Sequence, residues 1–242
     1  MSENNGERLS FLKQINGCIT SPKSTFKSIL AKPSLRRTAL LLSIIAIIAV
    51  IASYNYMGKL PLPDISELID RQRQLQQLPR GPLAPDINIP NPKQLQQRLM
   101  ILNSIRVIIG IFTSWLISSS LLHVFSRVQG GKSSLRNMLV LGGSASTPFL
   151  IQHTLRLIDS LTINSEQVLQ LMMGSQIFEN QFLNSVLNSA LNQFSVFWLW
   201  SLSLQAIALQ ENYKISGARS IITVLVTFMI MVLLSVVLPF LR

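Results

Sequence analysis

The residue types that could do chemistry in this sequence gather in and just beyond one stretch, His123 to Leu150, HVFSRVQGGKSSLRNMLVLGGSASTPFL. Ser144 or Ser146 with His153 invites comparison with a serine nucleophile and its histidine base. Both belong to one segment, and separations of nine and seven residues place them roughly 13 and 10 Å apart in helical rise, far beyond the reach of proton transfer. The chain has only two histidines, no HExxH and no pair of intramembrane aspartates. Its single cysteine, Cys18, allows no intramolecular disulfide and no Cys-based metal site. No catalytic residue, no metal ligand set and no cofactor are therefore expected.

Other polar groups stand within apolar surroundings. His153, Arg156 and Asp159 recur every three residues along one side of a helix, so that Arg156 and Asp159 are spaced to pair. If their helix ends near Ile158, they form a hydrated cap at the outer interface. Arg106 lies about 8 Å inside an apolar run, a depth from which its long side chain snorkels to the surface. Gln205 is the one strongly polar residue of a later run. Pro148 breaks the backbone ladder after six small residues, Gly142 to Thr147. A broken helix near such groups is the motif of a small transporter or channel.

The elements that hold these groups are membrane spans. Of 242 residues, 48% are hydrophobic and 13% charged, with a mean hydropathy of +0.40, which is too apolar for a soluble domain and gives several runs of membrane length. The spacing predicts an all-α polytopic membrane protein, a bundle of five transmembrane helices spanning about 38–57, 101–125, 138–158, 194–209 and 220–241. The second span carries Gly110, Ser114 and Ser118 at four-residue spacing, and the third carries Gly142, Gly143 and Ser146 before Pro148. Such small residues let helices pack closely.

Residues 1–37 form a basic N-terminal segment. Within it SPKSTFKSILAKPSLRR either lies in the headgroup layer as a short amphipathic helix, Lys23, Lys27 and Lys32 toward anionic lipid, or is a solvated leader that sets orientation. A proline-rich loop over 58–98 holds an amphipathic helix, DISELIDRQRQLQQL. A second outer segment over 160–192 has Asn180, Asn184 and Asn188 on one face against Leu183, Leu187 and Leu191 on the other. The first is expected to lie on the bilayer, and the second either to lie on the outer surface or to extend the fourth span into water.

Charge selects the orientation. An inward N-terminus puts twelve of the 21 Lys and Arg inside, among them Arg36, Arg37, Lys132 and Arg136, and eight outside, mostly in a long loop that counts less. The topology is therefore N-in and C-out. The net charge of +11 belongs beside the membrane surface, where it forms a cytoplasmic basic face; without an aromatic and basic stripe, no nucleic acid is expected as a partner.

Three stretches resemble the Yip1 domain family of five-span membrane proteins: SPKSTFKSILAKP; WLISSSLLHVFSRVQGGKSSLRNMLVLGGSASTPFL, with its LxxxxxxxGGKxSxxxxLxxxxxxxxP pattern; and WLWSLSLQAIALQENYKISGARSIITVLV. The likeness runs from about residue 20 to 240. Where that family often has an aromatic residue shortly before the central proline, this chain has GGSASTP. In eukaryotes such proteins belong to Golgi and endoplasmic reticulum membranes and contact Rab GTPases. Lacking the long cytosolic N-terminal region of those relatives, this chain resembles a bacterial member, in the inner or an internal membrane, for which the family implies a fold and topology but no established activity. The expected role is a noncatalytic scaffold or adaptor in the lipid bilayer that engages a membrane-protein partner or a second copy of itself.

Overall fold

The computed structural model describes residues 10–59, 92–167 and 195–240. Every regular element among them is helical. The main helices are α1 (Phe11–Thr20), α2 (Pro22–Ala31), α3 (Leu35–Lys59), α4 (Pro92–Val128), α5 (Leu135–Ser144), α6 (Thr147–Thr162), α7 (Val196–Tyr213) and α8 (Gly217–Phe240). Three helices are long and apolar enough to cross a membrane: α3, α4 over Gln96–Val128, and α8 over Gly217–Ser235. The expected third span is two helices, of 10 and 16 residues. The fourth, α7, has 18 residues but ends in QENY, which shortens its apolar run. The amphipathic helix expected over 64–78, and all but residues 160–167 of the outer segment expected over 160–192, lie outside the described residues.

The broken helix α5–α6 is the centre of the assembly. It packs against α3, α4 and α7, while α1 and α2 close over one end. Leu41, Leu42 and Ile45 of α3 meet Phe149 and Leu150 of α6 and Trp115 of α4. Leu122, Met138, Leu209 and Val224 join α4, α5, α7 and α8. Helix α4 is 37 residues long, about 55 Å against a hydrocarbon layer of about 30 Å. Its polar first turns, with Gln94, Gln97 and Arg98 exposed, therefore project beyond the apolar layer.

The short helix expected in the basic N-terminal segment is present as α2. Its apolar face does not rest on lipid: Phe26 and Ile29 are buried in one cluster with Cys18 of α1, Val140 and Leu141 of α5, and Leu204 and Ala208 of α7. A phenylalanine fully enclosed by protein gains more from packing than one lying in a headgroup layer, because its neighbours are dense on every side. Helix α1 was legible in the sequence and passed over. Ser10 caps it, accepting a hydrogen bond from the Lys13 N–H at 3.3 Å, and Phe11, Ile15 and Cys18 share a face.

Burial pushes the Cys18 thiol up from 9.0 to about 11, so its thiolate fraction at neutral pH falls ~100-fold. We expect a membrane-permeant maleimide to leave the folded protein unlabelled over a time that saturates the protein unfolded in dodecyl sulfate. Equal labelling of both by mass spectrometry would show that α1 is not docked.

Candidate functional site

The break between α5 and α6 arises from what Pro148 lacks. Without its N–H, the Ser144 carbonyl has no helical donor, and Thr147 Oγ1 supplies one at 2.6 Å. The Phe149 N–H turns to Ser146 O, which leaves the Ala145 carbonyl to accept from Ser201 Oγ of α7 at 2.9 Å. The Ser146 N–H bonds Gly143 O, and Ser146 Oγ serves Gly142 O at 3.2 Å. The hydroxyls of the small-residue run thus satisfy backbone groups that lipid cannot. Ser144 Oγ donates to Val140 O and accepts from Gln14 Nε2 of α1 at 3.0 Å. Ser144 and Ser146 Oγ donate to backbone carbonyls of their own helix, and among the described residues no serine is hydrogen-bonded to His153.

Ser201→Ala should isolate the Ala145 carbonyl and cost about 1–2 kcal/mol. The check is a lowered melting temperature in detergent, with Ser203→Ala, whose hydroxyl bonds only its own helix at Leu199 O, as the neutral comparison.

Gly142 and Gly143 stand where a neighbouring helix comes close. A β-carbon on Gly142 would collide with Ser119 Oγ of α4, and one on Gly143 with Thr38 Cγ2 of α3 and, at 3.1 Å, with Trp115 Nε1. The row Gly110, Ser114 and Ser118 does not make this contact. Gly110 has no atom within 4 Å of where its β-carbon would stand, Gly110 and Ser114 are exposed and Ser118 is half-buried. The α4 residue packed on the broken helix is the next one, Ser119. Trp115 aids it by donating to Leu139 O at 2.9 Å.

Above the break a cavity of about 240 Å³ opens between α3, α4, α6, α7 and α8. Its polar wall comprises Gln152, His153 and Arg156 of α6, Gln205 of α7 and Thr227 of α8, and Ser114 and Ser118 face it from α4. Its aromatic wall includes Trp198 and Phe228, whose ring centres are 5.1 Å apart, and Phe149, 5.7 Å from Trp198. The cavity thus joins three of the five polar residues singled out in sequence: His153, Arg156 and Gln205. The other two are elsewhere. Arg106 is exposed on α4. Asp159 does not pair with Arg156; it accepts a 2.6 Å hydrogen bond from Tyr56 Oη of α3, which also bonds the Arg156 carbonyl at 3.2 Å. A phenol fixed on a neighbouring helix loses less side-chain entropy in reaching the carboxylate than a long arginine does. Next to it, Lys59 Nζ caps the end of α6 at Ile163 O, 2.7 Å away.

At the opposite end, sequence reading missed Glu211. It is 6% exposed and lies 3.9 Å from Lys23 Nζ, 4.0 Å from Lys27 Nζ and 3.4 Å from Lys214 Nζ. Two lysines of the expected basic face therefore tie α2 to the end of α7. Lys132, Arg136, Lys32 and Arg36 remain exposed around them, with Arg37 half-buried. The turn between α4 and α5 fits this end closely. Gly130 has a φ of +87°, and a β-carbon on Gly131 would stand 2.8 Å from both Ser126 O and the Tyr213 ring, which accounts for the GG of GGKSS. Ser133 Oγ donates to Asn212 Oδ1 at 2.6 Å, and the Tyr213 hydroxyl meets His123 Nδ1 at 2.5 Å.

No group of three metal-binding side chains occurs among the described residues. The family model of the Yip1 domain matches residues 16–238, nearly the whole chain. No curated protein and no solved structure is significantly similar to it.

Proposed function

We propose, from the fact that this chain belongs to the Yip1 domain family, that it is a noncatalytic multi-pass membrane scaffold or adaptor, a subunit or assembly factor of a larger membrane complex. In this reading the chain crosses the bilayer five times, N-in and C-out, in a bacterial inner or internal membrane. α5 and α6 end to end supply roughly 39 Å of helix for the third crossing, and α7 the fourth. The basic face around Lys132 and Arg136 lies at the cytoplasmic surface, as the charge distribution supports.

One observation carries the scaffold reading. The apolar part of α4 is 11% buried against 39% for α3, and the exposed Gly110 and Ser114 stand on it as a notch on which no helix among the described residues is seated. That notch suits the close approach of another transmembrane helix, from a partner protein or from a second copy. The experiment is purification from the native membrane in a mild detergent, with mass spectrometry of whatever accompanies the chain in near-equal amounts. A stoichiometric partner, or a homo-oligomer, that is lost in Gly110→Leu supports the reading. A monomer that carries nothing, unaffected by Gly110→Leu, sinks it.

The cavity favours a second reading, a small transporter or channel built on the Pro148 break, since polar groups line it from α6, α7 and α8 rather than only at one edge. Flux in liposomes no faster than through lipid alone, across a panel of small ions and solutes, removes that reading.

A further inference from the structure

We propose that the cavity above the break is a binding site for a phosphate-type oxyanion, supplied by the headgroup of an anionic phospholipid, with Arg156 as its cation. This assignment is independent of whether the protein is a scaffold or a transporter.

Three observations converge on it. Arg156 lines the cavity, yet its guanidinium makes no ion pair or hydrogen bond among the described residues. The carboxylate nearest in sequence, Asp159, is taken by Tyr56. A guanidinium without a protein partner is open to a ligand, and an arginine fork matches a phosphate in two parallel hydrogen bonds. Second, Thr227 is 2% exposed and lines the same cavity, and its Oγ1 has no hydrogen-bond partner. A hydroxyl without a partner in an apolar bundle is unusual, and it gives a bound oxyanion a donor on the wall opposite α6. Gln152, 8% exposed, adds an amide with no side-chain partner among the described residues.

Third, the shape and walls select an amphiphile over a free ion. Arg156 and Ser114 are exposed members of the lining, so the cavity reaches the outside of the bundle on the side of α4 and α6. Its volume suits a headgroup or the start of one acyl chain, not a whole phospholipid, so the tails must remain in the bilayer. The Trp198 and Phe228 rings give that chain an apolar wall beside the donors.

The test uses the full chain purified in mild detergent and placed in bilayer discs holding phosphatidylglycerol and diglucosyldiacylglycerol, a neutral lipid without phosphate, in equal amounts. Native mass spectrometry then counts the lipids that stay bound when the discs are stripped. Wild type is expected to retain phosphatidylglycerol over the glycolipid by about tenfold or more, as one charge-assisted contact allows. Arg156→Gln abolishes the preference, Arg156→Lys keeps part of it, and Thr227→Val, which leaves the charge intact, lowers it severalfold. Arg106→Gln, the other arginine at this depth, leaves it unchanged. Melting temperatures of all variants confirm that each is folded, and Thr227→Val carries the test if Arg156→Gln is not. Equal retention of the two lipids by wild type overturns the proposal, as does an equal loss in Arg106→Gln and Arg156→Gln. A third arm adds inorganic phosphate. If phosphate alone displaces the lipid and stabilises wild type but not Arg156→Gln, the site takes free anions and the lipid assignment is wrong.

Discussion

Gly143→Val is expected to cost about 3 kcal/mol or more, at or above the upper end of what overpacked cores show, and to remove the protein from the membrane in cells. The new side chain would enter space held by the Thr38 methyl and the Trp115 indole. Neither neighbour is free to move. Thr38 is 0% exposed and its hydroxyl bonds Val140 O, and Trp115 is pinned by Leu139 O. Relief requires separating α3 from α5, which would open the cluster of Leu41, Leu42 and Ile45 as well. Melting of the purified protein in detergent measures the effect. Gly110→Val, where no atom of the described residues stands nearby, is expected to change the stability of the isolated chain, free of any partner or second copy, by less than about 0.5 kcal/mol. The mechanism is checked by Gly143→Ala with Thr38→Ser, which deletes the colliding methyl but keeps the hydroxyl bond. That pair should be more stable than Gly143→Ala alone. If Gly143→Val and Gly110→Val melt together, the close contact does not exist.

That contrast between two glycines marks how much the sequence could tell. Small residues announce that a helix surface is able to be approached, and Pro148 announces a break, because both follow from local chemistry. The row at Gly110, Ser114 and Ser118 and the run at Gly142 and Gly143 look alike in the sequence. Which of them is filled depends on where α3 and α4 lie, and this put Ser119, not Ser118, against the broken helix. The same limit explains Asp159. Its neighbour at three residues is Arg156, and periodicity nominates that pair, but Tyr56 arrives from 103 residues away and leaves the arginine facing the cavity. Gln205 was visible as an oddity in an apolar run, whereas Thr227 was not, since threonine is unremarkable in a membrane helix until its hydroxyl is found without a partner. The family likeness, by contrast, was readable directly, because GGKSS records a turn in which Gly130 takes a positive φ and Gly131 is held against Ser126 and Tyr213.

Glu211→Lys is expected to be the most damaging charge change in the chain. The three lysine heads around Glu211 are 61–74% exposed, so solvent screens each pair and each is worth less than about 1 kcal/mol. The carboxylate differs, being 6% exposed. A lysine in its place would bury a cation with three others at close range and no counter-charge, for which about 3–5 kcal/mol is the cost seen when a buried pair loses one partner. The damage should fall first on the docking of α2. Phe26 and Ile29 would leave their cluster, and Cys18, which shares it, would become open to maleimide while α3, α4 and α8 stay in the membrane. Hydrogen exchange on residues 11–31 reads this directly. Glu211→Gln separates charge from shape: it keeps the volume, removes the attraction and should loosen α2 mildly, more at low salt than at high salt, where the mutual repulsion of the lysines is screened. The decisive variant is the exchange Glu211→Lys with Lys27→Glu, which restores an opposite pair in the same place. Partial recovery of Cys18 protection and of the melting temperature would establish that charge holds α2 on α7. If the exchanged pair is no better than Glu211→Lys alone, α2 is held by Phe26 and its neighbours and the lysines are bystanders.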